Sequence, residues 1–248
     1  MEDRTHDFSH MKEVCQKWNL ELTPQKQQQF LEYYELLIEK NKVMNLTAIT
    51  EFEEVIEKHF LDSISLIQIM DLHQPLTVLD LGTGAGFPGV PLKIMFPDLT
   101  ITLADSLNKR IGFLREVIDT LQLKGITAIH ARAEEFARQK DYRECFDLCV
   151  SRAVANLSTL SEYCMPFVKV EGKFVSYKSG EIDQEAEQAK KAIYLTGGKL
   201  EKIVKFNLTE SSITEDEIHR SFVIVEKIKQ TPKTYPRKAG TPSKMPLG

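Results

Sequence analysis

The chain has 248 residues, with 32 Lys and Arg against 36 Asp and Glu, for a formal net charge of −4. That balance rules out a surface that is cationic all over and would bind any polyanion. Hydrophobic residues at 42% and charged residues at 27%, with only 12 Gly and 10 Pro, exclude a disordered or fibrous chain and predict a sizeable buried core.

No apolar run approaches the roughly 18–20 residues that cross a bilayer, so no membrane span is expected. The start, MEDRTHDFSH, is polar and acidic and lacks a basic segment followed by an apolar one, which predicts a cytoplasmic protein without a secretory leader. His6 and His10 lie four apart but have no further ligands nearby, so they read as a solvated tail and no metal site is expected. Residues 1–73 hold 14 acidic and 7 basic side chains and read as an N-terminal helical region. Thr23-Pro24 is an N-cap followed by proline at the first helical position. Behind it, Phe30, Leu31, Tyr34, Leu37 and Ile38 keep the spacing of an amphipathic helix. Asn41–Thr47 reads as a polar loop. Thr50 and Glu53 then form a capping box ahead of the apolar face Val55, Ile56, Phe60, Ile64 and Ile67.

From residue 74 the period changes. Strands are predicted at Leu76–Leu81, Thr100–Ala104, Ile126–Ala131, Phe146–Ser151, Lys173–Lys178, Lys199–Asn207 and Arg220–Lys229. Helices at Leu107–Leu123, Asn156–Cys164 and Glu181–Thr196 separate several of them, which implies parallel βαβ units in a doubly wound sheet over 74–230. The last two strands have only the polar loop Thr209–Glu217 between them, so an antiparallel edge hairpin is expected. Cys15, Cys145, Cys149 and Cys164 show neither CxxC nor zinc spacing and read as reduced, mostly buried hydrophobes. Lys227, Lys229, Lys233, Arg237, Lys238 and Lys244 face no acid from 227 onward, so 231–248 reads as a basic, proline-bearing tail. A basic tail on an acidic body points to a directed contact with an anion.

The chemical signal is Val78-Leu-Asp80-Leu-Gly82-Thr-Gly84-Ala-Gly86-Phe87-Pro88-Gly89 at the end of the first sheet strand. Glycines there permit a tight turn and close backbone approach to a ligand. Gly84-x-Gly86-x-x-Gly89 fits a dinucleotide fingerprint. Asp80-x-Gly82-x-Gly84-x-Gly86 instead puts an acid at the strand tip, which repels pyrophosphate and suits the ammonium and sulfonium of S-adenosylmethionine. Asp105, about twenty residues further on, is placed to accept the ribose hydroxyls.

The stretches VLDLGTGAGFPG, ADSLNKRIGFL, HARAEEF, VSRAV and TPKTYPRKAGTPSKMPLG, with Asn41-x-x-x-Asn45-Leu-Thr47 and His59-Phe-x-Asp62-Ser63, resemble the bacterial small-subunit ribosomal RNA methyltransferase G family. The resemblance runs from about Gln25 to the C-terminus. It implies a class I methyltransferase with a Rossmann-like seven-stranded sheet, parallel apart from one antiparallel hairpin strand. It implies S-adenosylmethionine as cofactor and guanine N7 in the 530 loop of 16S rRNA as acceptor, in free rRNA or the small ribosomal subunit. Gly82 and Phe87 would then line the methionine side, Asp105 and Ser106 the ribose, and Ala133 and Glu134 the adenine. Arg152 would stand at the front of the pocket as a substrate- or cofactor-positioning group, or be consumed in a salt bridge to Asp80 or Glu134.

N7 attack needs no general base, in keeping with Val150-Ser-Arg152-Ala at the fourth strand end in place of an Asp/Asn-Pro-Pro-aromatic motif. Lys233, Arg237, Lys238 and Lys244 would meet phosphates and Tyr235 would stack on an unpaired base, along an extended tail. Two other classes compete: an NAD-dependent oxidoreductase, although Tyr177-Lys178 would project to opposite faces of a strand, and a non-catalytic RNA-binding protein. A monomer is the default expectation.

Overall fold

A computed structural model describes residues 6–152, 155–208 and 218–248. Seven strands, β1 (Thr77–Leu81), β2 (Thr100–Asp105), β3 (Ile126–His130), β4 (Phe146–Arg152), β5 (Val168–Ser179), β6 (Gly198–Asn207) and β7 (His219–Lys227), form one sheet in the order β3-β2-β1-β4-β5-β7-β6. β1 to β5 pair in parallel, and β7 runs antiparallel to both β5 and β6, so the predicted hairpin forms at the edge. The loop predicted at Thr209–Glu217 lies outside the described residues, as do Ala153, Val154 and Met1–Thr5. β5 starts at Val168, earlier than predicted, because Lys169, Glu171 and Gly172 hide its first turn of alternation and a register shift lies opposite.

The helices are α1 (Ser9–Lys17), α2 (Pro24–Met44), α3 (Phe52–Val55), α4 (Asp62–Ile64), α5 (Gly89–Met95), α6 (Asn108–Thr120), α7 (Ala133–Phe136), α8 (Leu157–Cys164), α9 (Asp183–Leu195) and α10 (Thr241–Lys244). Alternating strand residues serve opposite faces. Val78, Leu103 and Val150 pack with Phe30, Leu37 and Phe60 of the N-terminal helices and with α5 and α6. Leu79, Leu81 and Phe174 pack with Leu160, Ala186 and Ile193 of α8 and α9. The change of period near residue 74 is therefore not a break in the core.

Four local expectations are corrected. Asn41–Met44 is helix, the last turn of α2, which ends at Asn45 with φ 51°. The Asn41 side chain accepts from Leu46 N at 2.6 Å and Thr47 N at 2.9 Å, supplying partners to backbone beyond the helix end. The capping box does not form: Glu51 is the N-cap, one residue late, and the Thr50 carbonyl accepts from Tyr34 Oη at 3.0 Å. The predicted single helix beyond it is broken into α3, a π-helical segment (Ile56–Leu61), α4 and a 3₁₀ turn (Ser65–Gln68). Finally, His6 is no solvated residue, since its ring packs edge-on against Phe52 at 4.5 Å. Three of the four cysteines are buried, and Cys145 is exposed.

β2 and β3 lie on one side of β1 and β4 lies on the other. The strand order therefore reverses at β1/β4, where doubly wound sheets bind ligands outside their carboxyl ends.

Candidate active site

A cavity of about 610 Å³ opens at this switch point. Its floor is the turn after β1, where Gly82 N donates to Ala104 O at 2.8 Å and Gly84 N to Asp105 Oδ2 at 3.0 Å. Gly84 has φ +61°, and a Cβ built there meets nothing within 4 Å. The turn thus keeps open space beside a backbone conformation that disfavours side chains, as a cradle for a closely approaching ligand requires. Gly86 has a different role. A Cβ there would lie 2.7 Å from Tyr33 Oη and 2.8 Å from Val90 Cγ2, so this glycine admits α2 to the turn. Tyr33 Oη in turn donates to Ala85 O at 2.6 Å.

Asp80 and Gly86 are therefore set back from the cavity, whereas Gly82, Gly84 and Phe87 line it. Asp80, expected to meet a cationic ligand, lies behind the cavity lining, with Oδ2 held inside the turn and Oδ1 buried without a hydrogen-bond partner among the described residues. It is fully buried, and Oδ2 accepts from Thr83 Oγ1 at 2.6 Å and Gly89 N at 2.8 Å. Burial raises its pKa to about 6, against those hydrogen bonds and Arg152, which lower it. The same contact disposes of the dinucleotide register, because the first amide of α5, where pyrophosphate would rest, is already taken by a carboxylate. The other oxidoreductase candidate also separates. Tyr177 Oη donates to Ser63 O, and Lys178 Nζ pairs with Glu185 across the other face.

The remaining predicted residues converge. Asp105, Ser106, Ala133, Glu134 and Arg152 all line the cavity. Asp105 is buried and accepts from Gly84 N, from Leu107 N at 2.8 Å and from Arg110 at 3.2 Å, which orients the carboxylate on the cavity wall. Glu134, also buried, accepts from Gly240 N at 2.8 Å.

At the front, Arg152 is paired with Asp62, not with Asp80 or Glu134. Nη1 lies 2.8 Å from Asp62 Oδ2 and 3.1 Å from Lys58 O, and the guanidinium stands 5.0 Å over the Phe87 ring. Asp62 also accepts from Arg220 Nε at 2.8 Å. His59 stacks on Phe87 at 4.5 Å, with Nε2 2.8 Å from Thr47 Oγ1 and Nδ1 within 3.2 Å of Arg152 Nη2. Burial and then the neighbouring Arg152 push its pKa down to about 3, so the ring is neutral. Sequence reasoning gave Thr47, His59 and Asp62 no role; the Asn-Leu-Thr and His-Phe-x-Asp-Ser elements were the signal, and the loop after α2, the π-helical segment and the start of α4 present them in turn.

The tail is corrected most. It is folded against the body and not extended. Arg237 forks onto Glu162 (Nη2–Oε2 2.7 Å), and Arg143 and Arg138 donate to the Tyr235 and Pro236 carbonyls at 3.1 and 2.6 Å. Lys227 is fully buried, donating to Met165 O at 2.7 Å and Val168 O at 2.9 Å. Lys233, Lys238 and Lys244 stay exposed, and Tyr235 is half-buried. Gly240 and Ser243 reach the cavity lining, as do Arg110, Arg132 and Tyr163, none of which the sequence reading singled out.

Together with the family the chain matches, the strand order, the glycine-floored cavity and the carboxylate at the end of β2 define a class I methyltransferase that uses S-adenosylmethionine. The fold is shared by M. jannaschii TYW2 in complex with AdoMet (TM-score 0.54, 17% identity, 73% of this chain and 80% of that one). It is also shared by TrmN from Thermus thermophilus (TM-score 0.50, 16% identity, 67% and 48%). The family described as rRNA small subunit methyltransferase G matches residues 26–214. A protein of that name from Lachnoclostridium phytofermentans is 54% identical over 92% of both chains, and one from Clostridium perfringens is 49% identical over 97% of this chain and 98% of its own. This chain belongs to the rRNA small subunit methyltransferase G family.

Proposed function

We propose that the chain methylates guanine N7 in the 530 loop of 16S rRNA, in free rRNA or the small ribosomal subunit, as a monomer in the cytoplasm. The names of the relatives support an rRNA substrate. Among the described residues there is no cluster suited to a metal ion and no helix long and apolar enough to cross a membrane.

The observation that carries the reading is the front of the cavity, which offers a positioned guanidinium and, in His59, an imidazole whose two nitrogens are already engaged by Thr47 and Arg152. Gly82, Gly84, Asp105 and Glu134 would hold S-adenosylmethionine, which when bound would supply an electrophilic methyl group. N7 of guanine has an in-plane lone pair and no proton to lose, so alignment alone can supply much of the acceleration, on the order of 7–11 kcal/mol in favourable cases. Arg152 can only donate, and guanine O6 and N7 both accept; a contact to O6 fixes the base while N7 faces the methyl. His59 has both ring nitrogens engaged within the protein and holds the Arg152 side chain against Phe87. Phe87 offers an aromatic wall to that same end.

The test is transfer of tritiated methyl from S-adenosylmethionine to 16S rRNA and to small subunits lacking the modification, with the site mapped by borohydride and aniline cleavage. One methyl at a guanine N7 in the 530 loop is expected; label at another atom or another loop overturns the proposal.

A further inference from the structure

After β7 the chain is held by partners remote in sequence. Glu162 on α8 is fully buried, and Arg237 meets both its oxygens, with the Arg237 main-chain N donating to Oε1 at 2.7 Å. Pro242 is buried, and its carbonyl accepts from Thr159 Oγ1 at 3.1 Å. Between these anchors Gly240 adopts φ +80°, a conformation that favours glycine, and directs its amide to Glu134 Oε1 at 2.8 Å. Gly240 and Ser243 line the same cavity as Glu134 and Tyr163. Ser243 Oγ donates to Gly240 O at 3.2 Å, and Tyr163 lines the same wall as Glu134.

An ionised carboxylate has about four acceptor positions, and one set by a fixed amide orients those that remain. The Glu134 carboxylate is buried, so its direction matters. A planar ligand bearing an exocyclic amine would meet acceptors aimed by a segment more than a hundred residues away in the chain (106 between Glu134 and Gly240).

We propose that the C-terminal segment is a working part of the cofactor site: the Gly240 amide, held on Glu134, and the Ser243 hydroxyl, which bonds the Gly240 carbonyl, build with Tyr163 the wall that binds the adenine end of S-adenosylmethionine. This rests on reading Glu134 as the adenine side of the cavity. The segment then has a role in cofactor affinity that its lysines do not share, and the methionine side of the cavity is untouched by it.

Calorimetry with S-adenosylhomocysteine and with adenosine alone tests this on the full-length chain. Gly240→Val places a branched side chain in open space but at a positive φ, so it swings the amide away from Glu134 without a core clash. Affinity should fall on the order of tenfold for both ligands alike. Ser243→Ala and Tyr163→Phe, which leave the backbone intact, should each give a few-fold loss for both and keep the test decisive if Gly240→Val does not fold. Phe87→Ala, on the methionine side, should weaken S-adenosylhomocysteine and spare adenosine, a split that general loosening would not produce. Wild-type affinity for both ligands in folded Ser243→Ala and Tyr163→Phe overturns the proposal. If Glu134→Gln also binds adenosine as the wild type does, the assignment of the adenine side falls with it. If Glu134→Gln alone loses adenosine, that assignment stands and only the role of the segment is lost.

Discussion

Arg152 on β4 and Arg237 in the C-terminal segment both meet a carboxylate that is almost wholly buried, Asp62 at 3% and Glu162 at 0% exposure. Asp62 divides itself between two guanidiniums, Arg152 and Arg220, so one positive charge is left over beside a neutral His59. Arg152 keeps a face toward the cavity, backed by the Phe87 ring. Glu162 gives both oxygens to Arg237 alone, and a further hydrogen bond runs from Arg237 to Met245 O at 2.7 Å. The first arginine keeps part of its guanidinium on the cavity wall, and the second is consumed in holding the chain. The number of acids a guanidinium must serve, and who shares them, decides which it becomes.

The two arginines differ most in what their loss does to stability. Arg237→Gln strands a buried carboxylate, so chemical denaturation should show a loss of about 3–5 kcal/mol, and Glu162→Gln in the same chain should recover part of it. A loss under about 1 kcal/mol would place Arg237 among ordinary surface cations. Arg152→Gln should reverse the pattern. The single-turnover rate on rRNA should fall on the order of 100-fold, the size expected for a lost transition-state donor. Its denaturation midpoint should shift less than that of Arg237→Gln, because Asp62 keeps Arg220.

Acid sharpens the contrast further. His59 titrates near 6.5 when unfolded but only near about 3 when folded, so the unfolded chain binds the extra proton first. Stability from this group is intact above about pH 6.5 and is lost as pH falls toward 3, amounting to about 2 kcal/mol at pH 5. His59→Asn should flatten that part of the stability–pH curve, while Arg237→Gln should leave it unchanged. The smallest effect belongs to the exposed lysines. Replacing Lys233, Lys238 and Lys244 with Gln should move stability by roughly 0–1 kcal/mol each. If they meet phosphates, the log–log salt slope of RNA affinity should shrink by about 0.7–0.9 per contact. An unchanged slope would confine the segment to packing and the cofactor.

Elements governed by neighbours in sequence were legible. The glycine turn, the strand alternation, the N-cap at Thr23 and the helix-free link that makes a hairpin all follow from local spacing. Elements that depend on side-chain ties across a short gap were less so: Asn41 prolongs α2 past the point where apolar spacing stops, and Tyr34 claims the carbonyl of the Thr50 that was expected to cap.

Composition and short-range pattern determined that this chain builds a doubly wound sheet with a ligand turn after β1. They also placed Gly82, Gly84 and Asp105 at the ends of neighbouring strands, whereas Phe87 and Glu134 came from the family resemblance. Tertiary structure decided what each charged group does. Asp80 and Gly86 belong to the same motif as Gly84, yet they serve Gly89 and Tyr33 behind the turn, because α2 packs there. Arg237 and Lys238 are adjacent, yet one is bound to a buried acid 75 residues away and the other is exposed. A charge shows its sign in sequence, but its task depends on the partner that folding brings within about 3 Å, where desolvation and pairing become strong enough to choose.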